Sequence, residues 1–272
     1  MKLIDAVGHR HSAVEMRQAP PRIVSLVPSI TELLCDLGLA HWLVGRTGFC
    51  VHPAAAVAGI AKVGGTKDVN VGKIRALAAT HLIVNIDENQ KPTVEALAQF
   101  VPHVIVTHPL APSDNVTLYR LLGGIFGASG QAELLCSAYE REYEALLALP
   151  ARPSKTVLYC IWKDPWMTVS PDTYIAAMLG LIGWRHWRAD SGSGVDDSAR
   201  YPQFAWNADL VDAIDDVLLS SEPYRFTETH ASALEQQTGK PVHLVDGEML
   251  SWYGSRAIQG LRYLQELARI YR

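Results

Sequence analysis

Two residues of one short loop have side chains that could bind a soft metal or act together as a nucleophile and a base. Cys50 and His52 lie two positions apart in GRTGFCVHP, after a predicted strand. Side chains at i and i+2 of an extended backbone point to the same side, so both could reach one metal ion. Two ligands do not complete a site, and no third group orients the pair for catalysis. The alternative is a half-buried cysteine beside a hydrogen-bonded histidine.

A second polar loop, Asp87, Glu88 and Asn89, follows a predicted strand that ends at Asn85. The carboxyl ends of parallel strands share one edge of a sheet, so this loop is expected on the same side as Cys50 and His52. It either forms a solvated turn or supplies a carboxylate such as Glu88 to a site.

The first predicted strand leads into a helix through VPSITE. Ser29 and Glu32 have the spacing of a capping box, in which the serine hydroxyl and the glutamate each accept a backbone N–H. Helix starts that follow a strand also face the usual ligand position of α/β folds, which makes Ser29 a candidate contact. No dinucleotide or P-loop glycine motif is present.

Tryptophan is concentrated in the second half of the chain, which holds six of the seven. These six are Trp162, Trp166, Trp184, Trp187, Trp206 and Trp252. Aromatic side chains in loops after strands either fill the domain or line a pocket for a large flat ligand. Arg225, Arg256 and Lys163 could hold carboxylates or phosphates of such a ligand.

Short apolar runs alternate with amphipathic stretches from Pro21 onward, which predicts an α/β fold with parallel sheets. The predicted strands are 23–27, 43–45, 81–85, 103–107, 156–161, 216–220 and 242–245. The predicted helices are 29–37, 71–77, 93–100, 114–126, 172–181, 207–214, 228–238 and 255–270. A longer helix is predicted over 130–149, capped by Ser129 and stopped by Pro150. It is either the last helix of a first domain or a rigid connection between two domains.

The composition excludes several classes of protein. The chain has 272 residues, 49% of them hydrophobic, and a formal charge of −4 without a block of basic residues, so disorder and nucleic-acid binding are not expected. No signal peptide or membrane-length apolar run is visible, which predicts a cytoplasmic location without membrane insertion. The four cysteines are widely spaced and predict free thiols rather than disulfides.

Several segments resemble the Fe/B12-type substrate-binding proteins of ABC transporters, which bind cobalamin, haem or ferric siderophores. They are PRIVSLVPSITELLCDLGL, VGRTGFCVHP, VGGTKDVNVGKIRALAATHLIVN, DENQK, YPQFAWNADLVDAIDDVLLSSEP and LVDGEMLSWYGSR. The resemblance runs from about Pro21 to the C-terminus, and its first block is the most specific part.

The resemblance implies two Rossmann-like α/β lobes joined by one long backbone helix, with a ligand cleft between the lobes. The predicted domains are an N-terminal extension over 1–20, a first lobe over 21–128, a connecting helix over 129–150 and a second lobe over 151–272. Phe49, His52, Trp162, Tyr201 and Trp252–Arg256 are implied to surround the cleft. With the candidates above, the predicted ligand-binding residues are Ser29, Phe49, Cys50, His52, Asn85, Glu88, Trp162, Trp166, Tyr201, Tyr224, Trp252, Tyr253 and Arg256.

The resemblance implies a non-catalytic protein that requires no cofactor and carries cobalamin, haem or a ferric chelate as its ligand, with His52 as an axial ligand. An ABC permease is the implied partner, but the two docking glutamates of the family are not matched. Their equivalents fall near Lys91 and near Asn207 and Ala208, with Asp209 the nearest carboxylate. Asn85 stands where the cobalamin receptor has tryptophan. The alternative is a cytosolic metal- or tetrapyrrole-dependent enzyme or metallochaperone that uses Cys50 and His52.

Overall fold

The structure is a computed structural model that describes residues 2–15, 19–150, 153–188 and 199–271. The described chain forms two compact units. Unit 1 comprises the described residues of Met1–Pro109, Ser113–Tyr139 and Tyr253–Arg256. Unit 2 comprises those of Leu110–Pro112, Glu140–Trp252 and Ala257–Arg272. Both units are α/β, which confirms the predicted fold class.

Unit 1 contains a parallel sheet with the strand order β3-β2-β1-β4-β5 among its described residues. Its strands are β1 Ile23–Ser25, β2 Leu43–Arg46, β3 Ala61–Lys62, β4 His81–Asn85 and β5 His103–Thr107. The central strands are buried and rich in β-branched residues, as expected for strands covered on both faces. Parallel pairing brings the residues that follow β1, β2, β4 and β5 to one side, here called the carboxyl edge of unit 1.

The helices that pack on this sheet are α1 Pro28–Asp36, α2 Ala54–Val57, α3 Val71–Ala76, α4 Lys91–Ala98 and α5 Asp114–Ile125. The capping-box prediction for α1 is wrong. Pro28 occupies the first turn, where its fixed φ is favourable, so Val27 is the N-cap and Ser29 lies inside the helix. Glu32 does not return to the backbone; its carboxylate binds the guanidinium of Arg256.

Unit 2 contains a sheet with the order β10-β9-β6-β7, and β8 also pairs with β6. Its strands are β6 Lys155–Trp162, β7 Met167–Thr168, β8 Trp184–His186, β9 Asp216–Ser220 and β10 Val242–Val245. All of these pairings are parallel except that of β6 with β7. The residues that follow β6 and β9 form the carboxyl edge of unit 2. The helices of this unit are α7 Tyr174–Gly180, α8 Ala208–Ala213, α9 Glu228–Thr238, α10 Gly247–Ser251 and α11 Ala257–Ile270.

The predicted long helix is α6, Ser129–Leu147, which ends two residues earlier than expected. Its residues up to Tyr139 belong to unit 1 and those from Glu140 to unit 2. The predicted domain limits stay a prediction. Among the described residues, no helix combines the length and apolar character needed to cross a membrane.

The N-terminal segment 2–15 packs on unit 1 through one buried carboxylate. Asp5 is 6% exposed and accepts hydrogen bonds from the backbone N–H groups of Val7, His9 and Val106 at 2.9–3.1 Å. His11 Nε2 lies 3.1 Å from its second oxygen. Ala6 N–H donates to the carbonyl oxygen of Val106. Within the extension predicted over 1–20, residues 2–15 thus contribute structure to unit 1.

Replacing Asp5 with alanine is expected to lower the free energy of unfolding by about 3 kcal/mol, because buried N–H groups lose their acceptor. Urea denaturation followed by circular dichroism measures the loss. Asp68→Ala is the control, since Asp68 is exposed and its side chain has no hydrogen bond in the described structure. Equal stability of the two variants would contradict the assigned role of Asp5.

Candidate functional site

The loop after β2 places Cys50 in the protein interior. Its Sγ lies 3.1 Å from the hydroxyl oxygens of both Thr31 and Thr47, and the residue is fully buried. Burial raises the pKa of the thiol, so it stays protonated at neutral pH and is a poor nucleophile or metal ligand. His52 is half-buried in the same loop. The described residues bring no three His, Cys, Asp or Glu side chains together as a metal site, and the structure favours a packing role for Cys50.

Apolar side chains are exposed at the carboxyl edge of unit 1. Phe49 is 62% exposed, Val51 48% and Ile86 46%. The first two follow β2, and Ile86 directly follows β4. The ring of Phe49 packs beside Gly65, where an added Cβ would lie 3.3 Å from Phe49 Cε2. Exposed apolar side chains at one edge of a sheet are candidates for contact with a ligand.

The polar loop after β4 is built by its own hydrogen bonds. Asn85 is 2% exposed; its Oδ1 accepts the N–H of Asp87 at 2.8 Å, and its own N–H donates to Asn89 Oδ1 at 2.9 Å. Asn89 Nδ2 in turn donates to the carbonyl oxygens of Leu26 and Thr66. These contacts give both asparagines a structural role in shaping the loop. A ligand contact by Asn85 stays a prediction.

The two carboxylates of this loop each have a partner. Tyr253 donates its hydroxyl hydrogen to Glu88 Oε1 at 2.7 Å, and Asp87 Oδ1 lies 3.3 Å from His108 Nε2. Burial and the negative charge of Glu88 raise the pKa of Tyr253 well above its usual value. The phenol therefore remains a hydrogen-bond donor that holds Glu88 in place.

The segment Tyr253–Arg256 is fixed inside unit 1. The N–H of Gly254 donates to Asn115 Oδ1 at 2.7 Å, and the hydroxyl of Tyr119 donates to the Gly254 carbonyl at 2.8 Å. Arg256 forms a bidentate pair with Glu32 at 2.6 and 2.7 Å and is only 9% exposed. To contact a ligand as predicted, the Arg256 guanidinium would have to give up or share these hydrogen bonds to the Glu32 carboxylate. Ser29, predicted as a ligand contact, is 4% exposed.

Sequence reasoning missed Asn115 and Tyr119 as supports of this segment. Both are fully buried on α5. A buried asparagine on an otherwise apolar helix face is the available signal, because such a group requires a polar partner. Its partner is 139 residues away and has no signature in the local sequence.

The tryptophans of unit 2 divide into exposed and packed residues. Trp162 ends β6, is 40% exposed and makes an edge-to-face contact with Tyr224 at 5.5 Å. Tyr201 is 37% exposed. Trp166 instead stacks on Phe226, with the ring planes 8° apart, and packs on the core of unit 2. Trp187, Phe204 and Trp206 belong to the same aromatic cluster.

Trp252 is held by a carboxylate that sequence reasoning did not single out. Its indole N–H donates to Glu222 Oε1 at 2.8 Å, and Ser251 donates to the same oxygen at 3.0 Å. Burial raises the pKa of Glu222. Trp252 is only 9% exposed, so most of its ring is already packed against protein atoms.

The model of the periplasmic binding protein family matches residues 23–235 of this sequence. The chain belongs to the periplasmic binding protein family. A Bacillus subtilis relative, the uncharacterized ABC transporter substrate-binding lipoprotein YvrC, is 25% identical; the match covers 93% of this chain and 81% of YvrC.

Solved periplasmic binding proteins share the fold. The vitamin B12 binding protein BtuF of Vibrio cholerae superposes with a TM-score of 0.74 at 18% identity, over 92% of this chain and 98% of BtuF. The heme-binding protein RhuT of Roseiflexus superposes with a TM-score of 0.73 at 20% identity, over 92% and 97%. A heme-binding protein of Pseudomonas aeruginosa gives 0.72 at 19% identity, over 92% of each chain. The predicted resemblance is confirmed.

In this periplasmic binding protein, the positions equivalent to the family's docking glutamates make local contacts within their own helices. Lys91 begins α4 and lies 3.9 Å from Glu95 one turn later. Asn207 is the N-cap of α8, where its Oδ1 accepts the N–H of Leu210 at 2.8 Å. Asp209 lies in the first turn of the same helix. An ABC permease as the partner of this protein stays a prediction.

Proposed function

We propose that this protein is the substrate-binding component of an ABC transporter and binds a metal chelate with a large flat or apolar surface. The exposed rings and aliphatic side chains at the carboxyl edges carry this proposal, chiefly Phe49, Ile86 and Trp162. Exposed apolar groups stabilise a folded protein little, whereas they gain contact area when a ligand covers them. The B12- and heme-binding proteins with the same fold support this class of ligand.

His52 is our candidate for an axial ligand, because a neutral imidazole suits iron or cobalt. It lies in the loop that also exposes Phe49 and Val51. The chelate would be cargo rather than a resident cofactor. The expectation that one ligand is held between two lobes remains a prediction.

We also propose an extracytoplasmic location. The family name refers to the periplasm, and the relative from Bacillus subtilis is described as a lipoprotein. The cytoplasmic location expected from the first residues has no support in these comparisons. No observation in the described structure favours the alternative of a metal-dependent enzyme, since Cys50 is buried and no three metal-ligating side chains converge.

The proposal is tested with hemin, hydroxocobalamin and ferric enterobactin. At least one is expected to bind, with a change in its visible spectrum and an increase in Tm that grows with ligand excess. Replacing Trp162 with alanine should weaken that binding about tenfold, because stacking on an aromatic ring contributes on the order of 1 kcal/mol or more. Absorbance titration measures both dissociation constants.

Leu134→Ala is the matched control for Trp162→Ala. Leu134 is 64% exposed and lies on α6, outside the residues that directly follow the strands of either sheet. Its removal should leave affinity unchanged. Absence of binding by all three chelates would contradict the proposed function, and unchanged affinity in Trp162→Ala would contradict the role of this ring.

A further inference from the structure

Three cations of the second half of the sequence stand out as candidates to hold an anionic group, namely Lys163, Arg225 and Arg256. Two of them are already paired. Arg256 binds Glu32 through two hydrogen bonds of 2.6 and 2.7 Å. Lys163 Nζ lies 2.6 Å from Asp164 Oδ2. Each of these charges is therefore balanced inside its own unit.

Arg225 is the exception. It is exposed, and within the described ranges it has no hydrogen bond and no ion pair. The nearby Glu222 is engaged by Trp252 and Ser251. Glu228, three residues further along, begins α9 and does not reach Arg225 within 4.0 Å. The carboxyl edge of unit 2 thus presents one arginine whose charge the described structure leaves unbalanced.

The loop that carries Arg225 is held against the end of β6. It follows β9, and the N–H of Tyr224 donates to the carbonyl oxygen of Ile161 at 3.3 Å. Arg225 directly follows Tyr224 in the sequence, and the ring of Tyr224 packs edge-to-face on the exposed Trp162. On the other side, Phe226 is 5% exposed and stacks on Trp166. The loop is therefore anchored on both sides of the arginine.

We propose that Arg225 binds an anionic oxygen group of the ligand, such as a carboxylate, phosphate or catecholate, and so selects anionic chelates over neutral ones. The inference rests on the proposed function. A guanidinium donates two parallel hydrogen bonds to such an anion, which a lysine cannot reproduce. The ligand class is a chelate with an apolar ring or face that covers Trp162 and an anionic substituent at its periphery.

Arg225→Gln tests the proposal, because glutamine keeps a polar side chain and removes the charge. Arg185→Gln is the matched control. Arg185 is an exposed arginine of the same unit on β8, and it pairs with Thr156 near the start of β6, at the opposite end of that strand from Trp162. The wild-type protein and both variants are titrated with hemin, hemin dimethyl ester, hydroxocobalamin and ferric enterobactin.

Arg225→Gln is expected to weaken the tightest-binding of hemin, hydroxocobalamin and ferric enterobactin by about tenfold or more, and Arg185→Gln to leave it unchanged. If that ligand is hemin, its dimethyl ester, which lacks the free carboxylates, should bind wild type and Arg225→Gln with equal affinity. Equal affinity of the two arginine variants for that ligand would overturn the proposal. Absence of binding to the wild-type protein would instead refute the proposed function, so the two failures are distinguishable.

Discussion

Replacing Arg256 with methionine is expected to lower the free energy of unfolding by about 4 kcal/mol. Arg256 is 9% exposed, and its partner Glu32 is also largely buried. Removal of one member of a buried ion pair leaves the other charge desolvated without compensation, which typically costs about 3–5 kcal/mol. The loss should appear in the unfolding of unit 1, followed by circular dichroism in urea.

Two further variants make this result interpretable. Glu32→Met combined with Arg256→Met should recover much of the lost stability, because a well-packed apolar pair replaces the ion pair without leaving an isolated charge. Arg262→Met is the control: Arg262 donates to Glu142 at 2.8 Å but its side chain is 54% exposed, so its removal should leave the free energy of unfolding nearly unchanged. If Arg256→Met instead keeps its stability and loses affinity for the ligand, the main role of Arg256 is ligand binding and not stabilisation of unit 1.

Acidification from pH 7 towards pH 4 is expected to lower the free energy of unfolding by up to about 3 kcal/mol in each unit. Burial lowers the pKa of His81 in unit 1 to about 4, with contributions from His103 and His11, and burial lowers that of His186 in unit 2 to about 4. The unfolded chain binds these protons near pH 6.5 and the native state does not. Stability is therefore complete above that pH and is lost as the pH falls towards the folded pKa.

The neutral state of each histidine has a structural cause. His81 stacks on His103 with ring centroids 4.7 Å apart, and its Nδ1 lies 2.8 Å from the Thr80 hydroxyl oxygen. His186 Nε2 accepts the N–H of Tyr159 at 3.3 Å, a bond that protonation of this nitrogen would abolish. Protonation of His186 thus breaks its hydrogen bond with Tyr159, and protonation of His81 places a positive charge in a buried position beside His103.

The pH dependence is measured by urea unfolding at pH 7, 6, 5 and 4. Tryptophan fluorescence reports mainly on unit 2, which contains six of the seven tryptophans, and circular dichroism reports on both units. His81→Phe should flatten the dependence of unit 1, whereas the exposed His41→Gln should not. Burial raises the pKa values of the Glu222 and Asp36 carboxyl groups. As the pH falls, the native state therefore takes up these protons before the unfolded chain does, which stabilises it and opposes the effect of the histidines. An unchanged profile in His81→Phe would contradict the role of His81.

Most regular elements were predictable because each is encoded by a local pattern. Strands β4, β5, β9 and β10 begin and end at the predicted residues, since each is a short apolar run between polar or turn residues. Strands β3, β7 and β8 were not predicted. They are two or three residues long, and only their pairing with β2 and β6 makes them strands.

The candidate site was less predictable, because its contacts join distant parts of the chain. Glu32 and Arg256 are separated by 224 positions, and Glu88 and Tyr253 by 165. Sequence patterns place each side chain on a strand end or helix, but they do not show which partner neutralises it. For the same reason they did not separate the exposed Trp162 from Trp166, whose stacking on Phe226 depends on how two loops pack.

The hydrogen bonds of Asp5 and Ala6 to Val106 have a consequence for self-association. β5 is the last strand of its sheet, and an edge strand with free N–H and C=O groups is a template on which another chain can add a strand. Here the Val106 N–H donates to the Asp5 carboxylate and its carbonyl accepts the Ala6 N–H, so both groups are occupied. The N-terminal segment therefore blocks the addition of another strand at Val106, in addition to stabilising the fold.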